Sequence, residues 1–338
     1  MFDKNQPELV QQPPFYFPLE NGLYEVKPGL FKFPHDFGQL EQDGRIFQID
    51  MDFSRYRYEK LCARKESLAK YYCTDQFEIE ISGKIHQFII NKLVHEHPDL
   101  FDFRSDRNSS HLICRLTGDS LSFDADFQLL DSQSDSDISP NYIDGFDALA
   151  CQLQEDLSVI KLDVSGGDQT IALHLCLPNH WAASEKIGKG FISVHEPVPH
   201  MDKMNLSAGQ LMDSIIHKGP FVRFAWGIAT DNRLNHHPEP NQNVAFDEWQ
   251  GRQFDPGNPE LYLRIERQTL HGFPDSLAAL FTIRTYIYEM NWIHNNYPEH
   301  IPSLINAIES MSVESLRYKG LKKDAPVILG WLRSLQRQ

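Results

Sequence analysis

The chain has 338 residues, 41% of them hydrophobic, enough to bury the core of one large domain or two smaller ones. Its 47 acidic and 32 basic residues give a formal net charge of −15, which disfavours nucleic acids and anionic membranes as partners. The amino terminus lacks an export signal, no apolar run is long enough to span a membrane, and the five cysteines form no C-x-x-C pair. We therefore expect a cytoplasmic protein without a disulfide framework, a zinc ribbon or an iron–sulfur motif.

The first part of the chain is predicted to be an irregular arm followed by helices. Proline and aromatic residues dominate the first thirty or so positions, too many aromatics to leave in water. Apolar residues at three- and four-residue spacing predict helices over 57–72 and 83–97. The acidic segment DSQSDSDISP (131–140) has little to bury, so we predict a boundary there between an N-terminal part, 1–140, and a C-terminal lobe, 141–338.

The C-terminal lobe contains five β-like runs rich in branched and aromatic residues and bounded by turn residues. They cover 157–164, 170–178, 221–229, 261–270 and 279–288. They predict an α+β protein with one five-stranded antiparallel sheet, in which SGGD (165–168) is a hairpin turn. Flanking helices are predicted over 207–219, 301–320 and 324–336.

Strand alternation predicts a polar row on this sheet. In the run 261–270, Arg264, Glu266 and Gln268 share one face and Thr269 lies on the other. Arg223 and Arg284 on neighbouring runs could join Arg264 in one patch. Two readings stay open: a salt-bridge ladder on a solvated face, or guanidinium groups that hold the carboxylates of a ligand.

A histidine stands out in GFISVHEPVPHM (190–201), because His195 follows an apolar run and precedes Pro197 and Pro199. This pattern predicts the end of a strand followed by a rigid turn. From the residues alone a structural histidine is favoured over a ligand. A single imidazole is nevertheless what haem requires as an axial ligand, and His200 is the next candidate.

The sequence resembles the family of the haem-dependent oxidative N-demethylase alpha subunit, from about Phe31 to about Leu316. Three segments carry the resemblance: VHEPVP (194–199), ERQTL (266–270) and FTIRTY (281–286). Shorter pieces lie between them in the family's order: PNHW (178–181), Lys186, Gly190 and RFAWGI (223–228).

The resemblance implies a PAS-like fold that binds haem b, an iron porphyrin, in the lobe 141–338. It implies His195 as the iron ligand. Further cofactor-binding residues would be Arg223, Trp226, Arg264 and Arg284, with Arg223 and Arg264 contacting the propionates. Glu266, Gln268 and Thr269 would be the catalytic residues near the substrate.

The activity implied is oxidation of dimethylamine to methylamine and formaldehyde by oxygen, with electrons from a separate flavin and iron–sulfur reductase. After ERQTL the family continues with a basic residue, leucine and proline, whereas this chain has HGFP (271–274). The departure leaves the amine unspecified. Two alternatives stay open: a PAS-type haem sensor of gas or redox state without turnover, and a scaffold without a cofactor.

Overall fold

The computed structural model of the protein describes residues 7, 9–106, 109–163, 166–241, 244 and 253–336. The N-terminal arm contributes the short strand β1, Phe31–Lys32, and a 3-10 turn, Leu40–Gly44. Before β1 its described residues form no helix or strand, but Tyr16 and Leu19 are each only 2% exposed. They pack into an apolar cluster with the last helices of the chain, so the arm is part of the core.

Two long helices follow the arm, as the apolar spacing predicts. They are α1, Phe53–Tyr71, and α2, Ile79–Glu96, with the short strand β2, Tyr72–Thr74, between them. Ile85 and Ile89 on α2 are fully buried, which is the amphipathic pattern expected of a helix packed on a core.

A second sheet, which sequence analysis missed, follows α2. Its antiparallel strands are β3 (Phe101–Ser105), β4 (Ser109–Cys114), β5 (Ser120–Asp124) and β6 (Leu129–Gln133), paired in chain order. The strands are short and half polar, so their alternation is a weak signal. The segment 131–140 therefore begins inside β6, and 134–144 leads to α3, Gly145–Ala150.

All five predicted β runs form strands of one antiparallel sheet. They are β7 (Asp156–Leu162), β8 (Asp168–His174), β9 (Phe221–Ala229), β10 (Tyr262–Phe273) and β11 (Ala278–Glu289). The α+β class is confirmed, but the count of five strands is wrong. The order is β1-β9-β10-β11-β7-β8-β2, because two short strands from the N-terminal part extend the edges.

Helices flank this central sheet. Between β8 and β9 lie α4 (Ala183–Lys186), α5 (Phe191–Val194), α6 (Asp202–Leu206) and α7 (Ala208–Lys218). After β11 lie α8 (Met290–Asn296), α9 (His300–Glu309), α10 (Val313–Tyr318) and α11 (Ala325–Leu335). The helices predicted over 207–219, 301–320 and 324–336 are confirmed, the second interrupted at Ser310–Ser312, where the Ser312 hydroxyl caps α10.

Strand register gives the central sheet two distinct faces. Arg264, Glu266 and Gln268 alternate along β10, and Arg223 pairs directly with Gln268, so the four side chains share a face. Gly272 belongs to the same face and is covered by α7, since a Cβ there would lie 2.0 Å from the Ile216 carbonyl oxygen. We call this face the α7 face.

One apolar cluster joins both parts of the predicted division at residue 140. It includes Phe47 and Ile89 from before that residue and Val159 and Leu280 from after it, each fully buried. The boundary near 140 stays a prediction about folding units. In the described residues no helix combines the length and the apolar character required to cross a bilayer.

Candidate functional site

His195 does not end a strand, contrary to the sequence prediction. Residues 191–194 form the single turn α5, in which the Val194 amide donates to the Gly190 carbonyl and the His195 amide donates to the Phe191 carbonyl. The apolar run is too short to distinguish a helical turn from a strand by its pattern. Pro197 and Pro199 come after the turn, where proline is tolerated.

The tautomer of His195 follows from one hydrogen bond. Its Nδ1 lies 2.8 Å from the Phe191 carbonyl oxygen, which can only accept, so Nδ1 carries the proton and Nε2 keeps its lone pair. Burial, together with the charges of Arg223 and Lys186, holds the pKa of the imidazole below its usual 6.5. A neutral, half-buried imidazole with a free nitrogen is suited to bind a metal.

Arg223 lies beside this imidazole on β9, the strand next to the edge strand β1. Its half-buried guanidinium makes no hydrogen bond or ion pair with the described residues, and its enclosed Nε has no partner. Burial holds the pKa of Arg223 below its usual value, opposed by the carboxylate of Glu266. A partly enclosed guanidinium without a counter-ion is an available site for an anionic group.

Glu266 and Gln268 occupy the α7 face next to Arg223. The amide of Gln268 donates to Oε2 of Glu266 at 3.0 Å, and Nε of Arg264 lies 3.6 Å from Oε1. Glu266 is 9% exposed and Gln268 is 8% exposed. The predicted sharing of one face by Arg264, Glu266 and Gln268 is confirmed.

Arg264 directs most of its donors into the protein. Its guanidinium donates to the carbonyls of Leu177 at 2.7 Å and Leu234 at 3.0 Å, and to the Thr285 hydroxyl at 3.3 Å. It joins β10 to the segments that follow β8 and β9, and it is 1% exposed. A ligand could take the two Nη2 donors only by displacing the contacts to Leu177 and Thr285.

The other three predicted site residues lie on the opposite face. Arg284 pairs with Arg267 across the strands and binds Asp50 at 2.6 Å, so the suggestion that Arg223, Arg264 and Arg284 form one patch is wrong. Thr269 shares a 2.6 Å hydrogen bond with Thr282. The Trp226 ring packs into the cluster around α9 and α11.

Residues that sequence analysis did not use also shape the site. On the α7 face of β9 the positions after Arg223 are Ala225 and Gly227, whereas Phe224 and Trp226 fill the opposite face. A Cβ on Gly227 would approach only the amide nitrogen of Asn179, at 3.7 Å. This alternation of small and large residues was visible in RFAWGI, and Gly227 lets the segment that contains Asn179 pack closely over the strand.

Two fully buried trios elsewhere have the donor types of a metal site: Asp147, Cys151 and His174, and Asp156, His174 and Cys176. The carboxylate of Asp147 is already bound by Arg64 at 2.7 Å and by His174 at 3.1 Å. That of Asp156 accepts two backbone amides, at 3.0 and 2.7 Å. These carboxylates are satisfied without a metal, so His195 with Arg223 is the better candidate site.

The residues around His195 fit a haem. They offer a neutral imidazole with a free nitrogen and, among the described residues, an unpaired guanidinium for a propionate. In comparison with protein families, the chain matches the family model described as haem-dependent oxidative N-demethylase, alpha subunit-like, over residues 39–329.

Proposed function

Because the chain belongs to the family of haem-dependent oxidative N-demethylase alpha-subunit-like proteins, we propose that it binds haem b on the α7 face, with Nε2 of His195 as the iron ligand. The observation that carries the proposal is that this free nitrogen lies near the guanidinium of Arg223, whose Nε has no hydrogen-bond partner among the described residues. The predicted recognition of the family is confirmed by the match over 39–329.

Local charge supports an anionic cofactor at this place. The whole chain carries −15, yet the imidazole of His195 lies near the cations Arg223 and Lys186. Glu266, which stabilises the charge of Arg223, also interacts with Arg264 at 3.6 Å. The two propionates of haem would supply the missing negative charge.

The reaction proposed is oxidative demethylation of a small methylated amine. Bound haem would supply oxygen-dependent oxidation, and two electrons and two protons from a reductase would balance it: one oxygen atom ends in formaldehyde and the other in water. We assign the electrons to a separate flavin and iron–sulfur partner, as an alpha-like subunit requires. Such a chain would work in the cytoplasm.

Within the chain, Glu266 is the proposed base. Its carboxylate is held by Gln268 on the face where the cofactor would lie, so it can accept the proton of an alkylammonium and free the nitrogen lone pair. Thr269 and Arg284 lie on the opposite face, where they stabilise the pairing of β10 with β11. We further propose that β7 to β11, five antiparallel strands with helices on the α7 face, are the PAS-like unit.

Reconstitution with haem tests the proposal. The purified chain should give a sharp Soret band that is lost or displaced in His195→Ala and kept in His200→Ala. With a chemical reductant, oxygen and small methylated amines, the wild type should release formaldehyde, and Glu266→Gln should lose turnover by roughly a hundredfold or more while keeping the Soret band.

The outcomes separate the alternatives. A Soret spectrum that is unchanged in His195→Ala would exclude His195 as the iron ligand. Loss of the Soret band in His200→Ala would assign the ligand to His200 instead. Haem binding without formaldehyde from any amine would contradict the demethylase and favour a PAS-type sensor. A chain that binds no haem would contradict both.

A further inference from the structure

Lys319 lies beside the candidate site although no sequence motif points to it. It follows α10 directly, and its Nζ donates to the carbonyl of Trp226 at 2.6 Å. Trp226 belongs to β9, three residues after Arg223. The end of α10 is thus attached to the strand that carries the unpaired guanidinium.

The ammonium of Lys319 is half-buried and has no carboxylate within 4.0 Å among the described residues. Its Nζ lies 5.6 to 5.9 Å from the ring centres of Tyr24, Trp226 and Tyr318. It is attracted electrostatically by Glu266 and repelled by Arg223. Aromatic rings and one carbonyl compensate only part of the cost of withdrawing an ammonium from water.

Two partly buried cations, Arg223 and Lys319, therefore lie near the same carboxylate, that of Glu266. Glu266 attracts both Arg223 and Lys319, but its shortest contact with a cation is to Arg264. Cations held near each other without their own counter-ions are unfavourable unless an anion binds there. The hydrogen bonds of Arg264 to Leu177 and Leu234 leave that anion to Arg223 and Lys319.

We propose that Lys319, attached to β9 at Trp226, is the second cationic contact for the carboxylate edge of the cofactor and acts together with Arg223. The inference rests on the proposed binding of haem. It replaces Arg264 in that role with a residue from the C-terminal part of the chain.

The experiment compares haem with its dimethyl ester, in which both carboxylates are blocked. Affinities for the two porphyrins are measured by Soret titration on the full-length wild type, Lys319→Met, Lys319→Arg and the matched control Lys323→Met, whose lysine is exposed. Lys319→Met should weaken haem binding by roughly tenfold and leave the ester unaffected, because only haem carries the anion. Lys319→Arg should retain most of the affinity, and Lys323→Met all of it.

The ratio of the two affinities is internal to each variant, so a general loss of folding cancels from it. Equal haem-to-ester ratios in the wild type and Lys319→Met would overturn the assignment of Lys319 while haem binding stands. A wild type that binds neither porphyrin would overturn the proposed function and this inference together. A haem-to-ester affinity ratio that is lower in Lys319→Met than in the wild type supports the charge contact, provided that the difference between the two proteins grows as the salt concentration is lowered.

Discussion

At the scale of single residues, the properties of His195 are set by its own turn of helix. The proton sits on Nδ1 because the Phe191 carbonyl can only accept, and burial keeps the ring neutral. Arg223 is the complementary case, since its guanidinium makes no hydrogen bond or ion pair with the residues that the structure describes. This free lone pair near a cation distinguishes the site from the two buried trios around His174, whose carboxylates already have hydrogen-bond partners.

The lowered pKa of His195 predicts how haem binding depends on pH. Because burial lowers the pKa from 6.5, the imidazole is mostly neutral from pH 8 to 6.5, and protons compete with iron mainly at more acid pH. The Soret absorbance of the reconstituted wild type should be constant over that range and fall below it. His200→Ala should give the same profile, and a fall that begins above pH 7 would contradict the assignment.

At the scale of elements, the two helical segments on the α7 face differ in how firmly they are held. Helix α7 buries four residues and is pressed onto β10. Helices α5 and α6 bury none, and between Gly190 and Leu206 Met201 is the one buried residue. The segment that presents His195 is therefore held by few buried side chains, and its contacts include the Lys186 ammonium, which donates to the Val194 carbonyl, and the Phe191 ring, which packs against the cluster around α7.

The close contact of α7 with β10 predicts a large effect at Gly272. In Gly272→Ala the new methyl group would collide with the Ile216 carbonyl, and we expect a loss of about 2 to 3 kcal/mol in the free energy of unfolding. Gly330→Ala is the control, because that position on α11 is open and helical, so alanine should stabilise by about 0.5 to 1 kcal/mol. Urea denaturation measures the free energy of unfolding of both variants. A Gly272→Ala variant as stable as the wild type would contradict the close packing of α7 on β10.

At the scale of the whole molecule, apolar clusters from the arm, both sheets and the last helices meet on the opposite face of the central sheet. That core also contains charged groups. Glu155 is fully buried with one oxygen unpartnered, and burial raises its pKa to about 7. Lys60 and Arg284 lower the pKa but do not offset the burial.

Glu155 predicts a pH dependence of global stability. A carboxyl whose pKa is higher in the folded state stabilises the fold below its unfolded pKa of 4.5, and this contribution is lost as the pH rises to about 7. Glu155→Gln should therefore gain stability relative to the wild type between pH 5 and 8, by up to about 3 kcal/mol. Urea denaturation at several pH values measures the difference.

The exposed Glu289→Gln serves as control and should show no such trend. A difference between Glu155→Gln and the wild type that does not change with pH would contradict the raised pKa of Glu155.

The strands of the central sheet were predictable because residues such as Arg264 and Glu266 alternate with apolar neighbours, a local signal. The second sheet was not, since strands like LLDSQ have too few apolar positions. The face of Arg284 depends on the register of β11 against β10, which no local pattern specifies. Lys319 reaches the site only through tertiary packing, and the helical turn before His195 was too short to recognise.

The hydrogen bond between His195 and Phe191 spans only four residues. The direction in which the imidazole points is consequently encoded within a short peptide, independently of the sheet it faces. A displacement of that peptide as a unit would carry the ring's orientation and proton with it. The orientation of the His195 ring is thus specified by one turn of backbone, whereas its position is specified by the rest of the molecule.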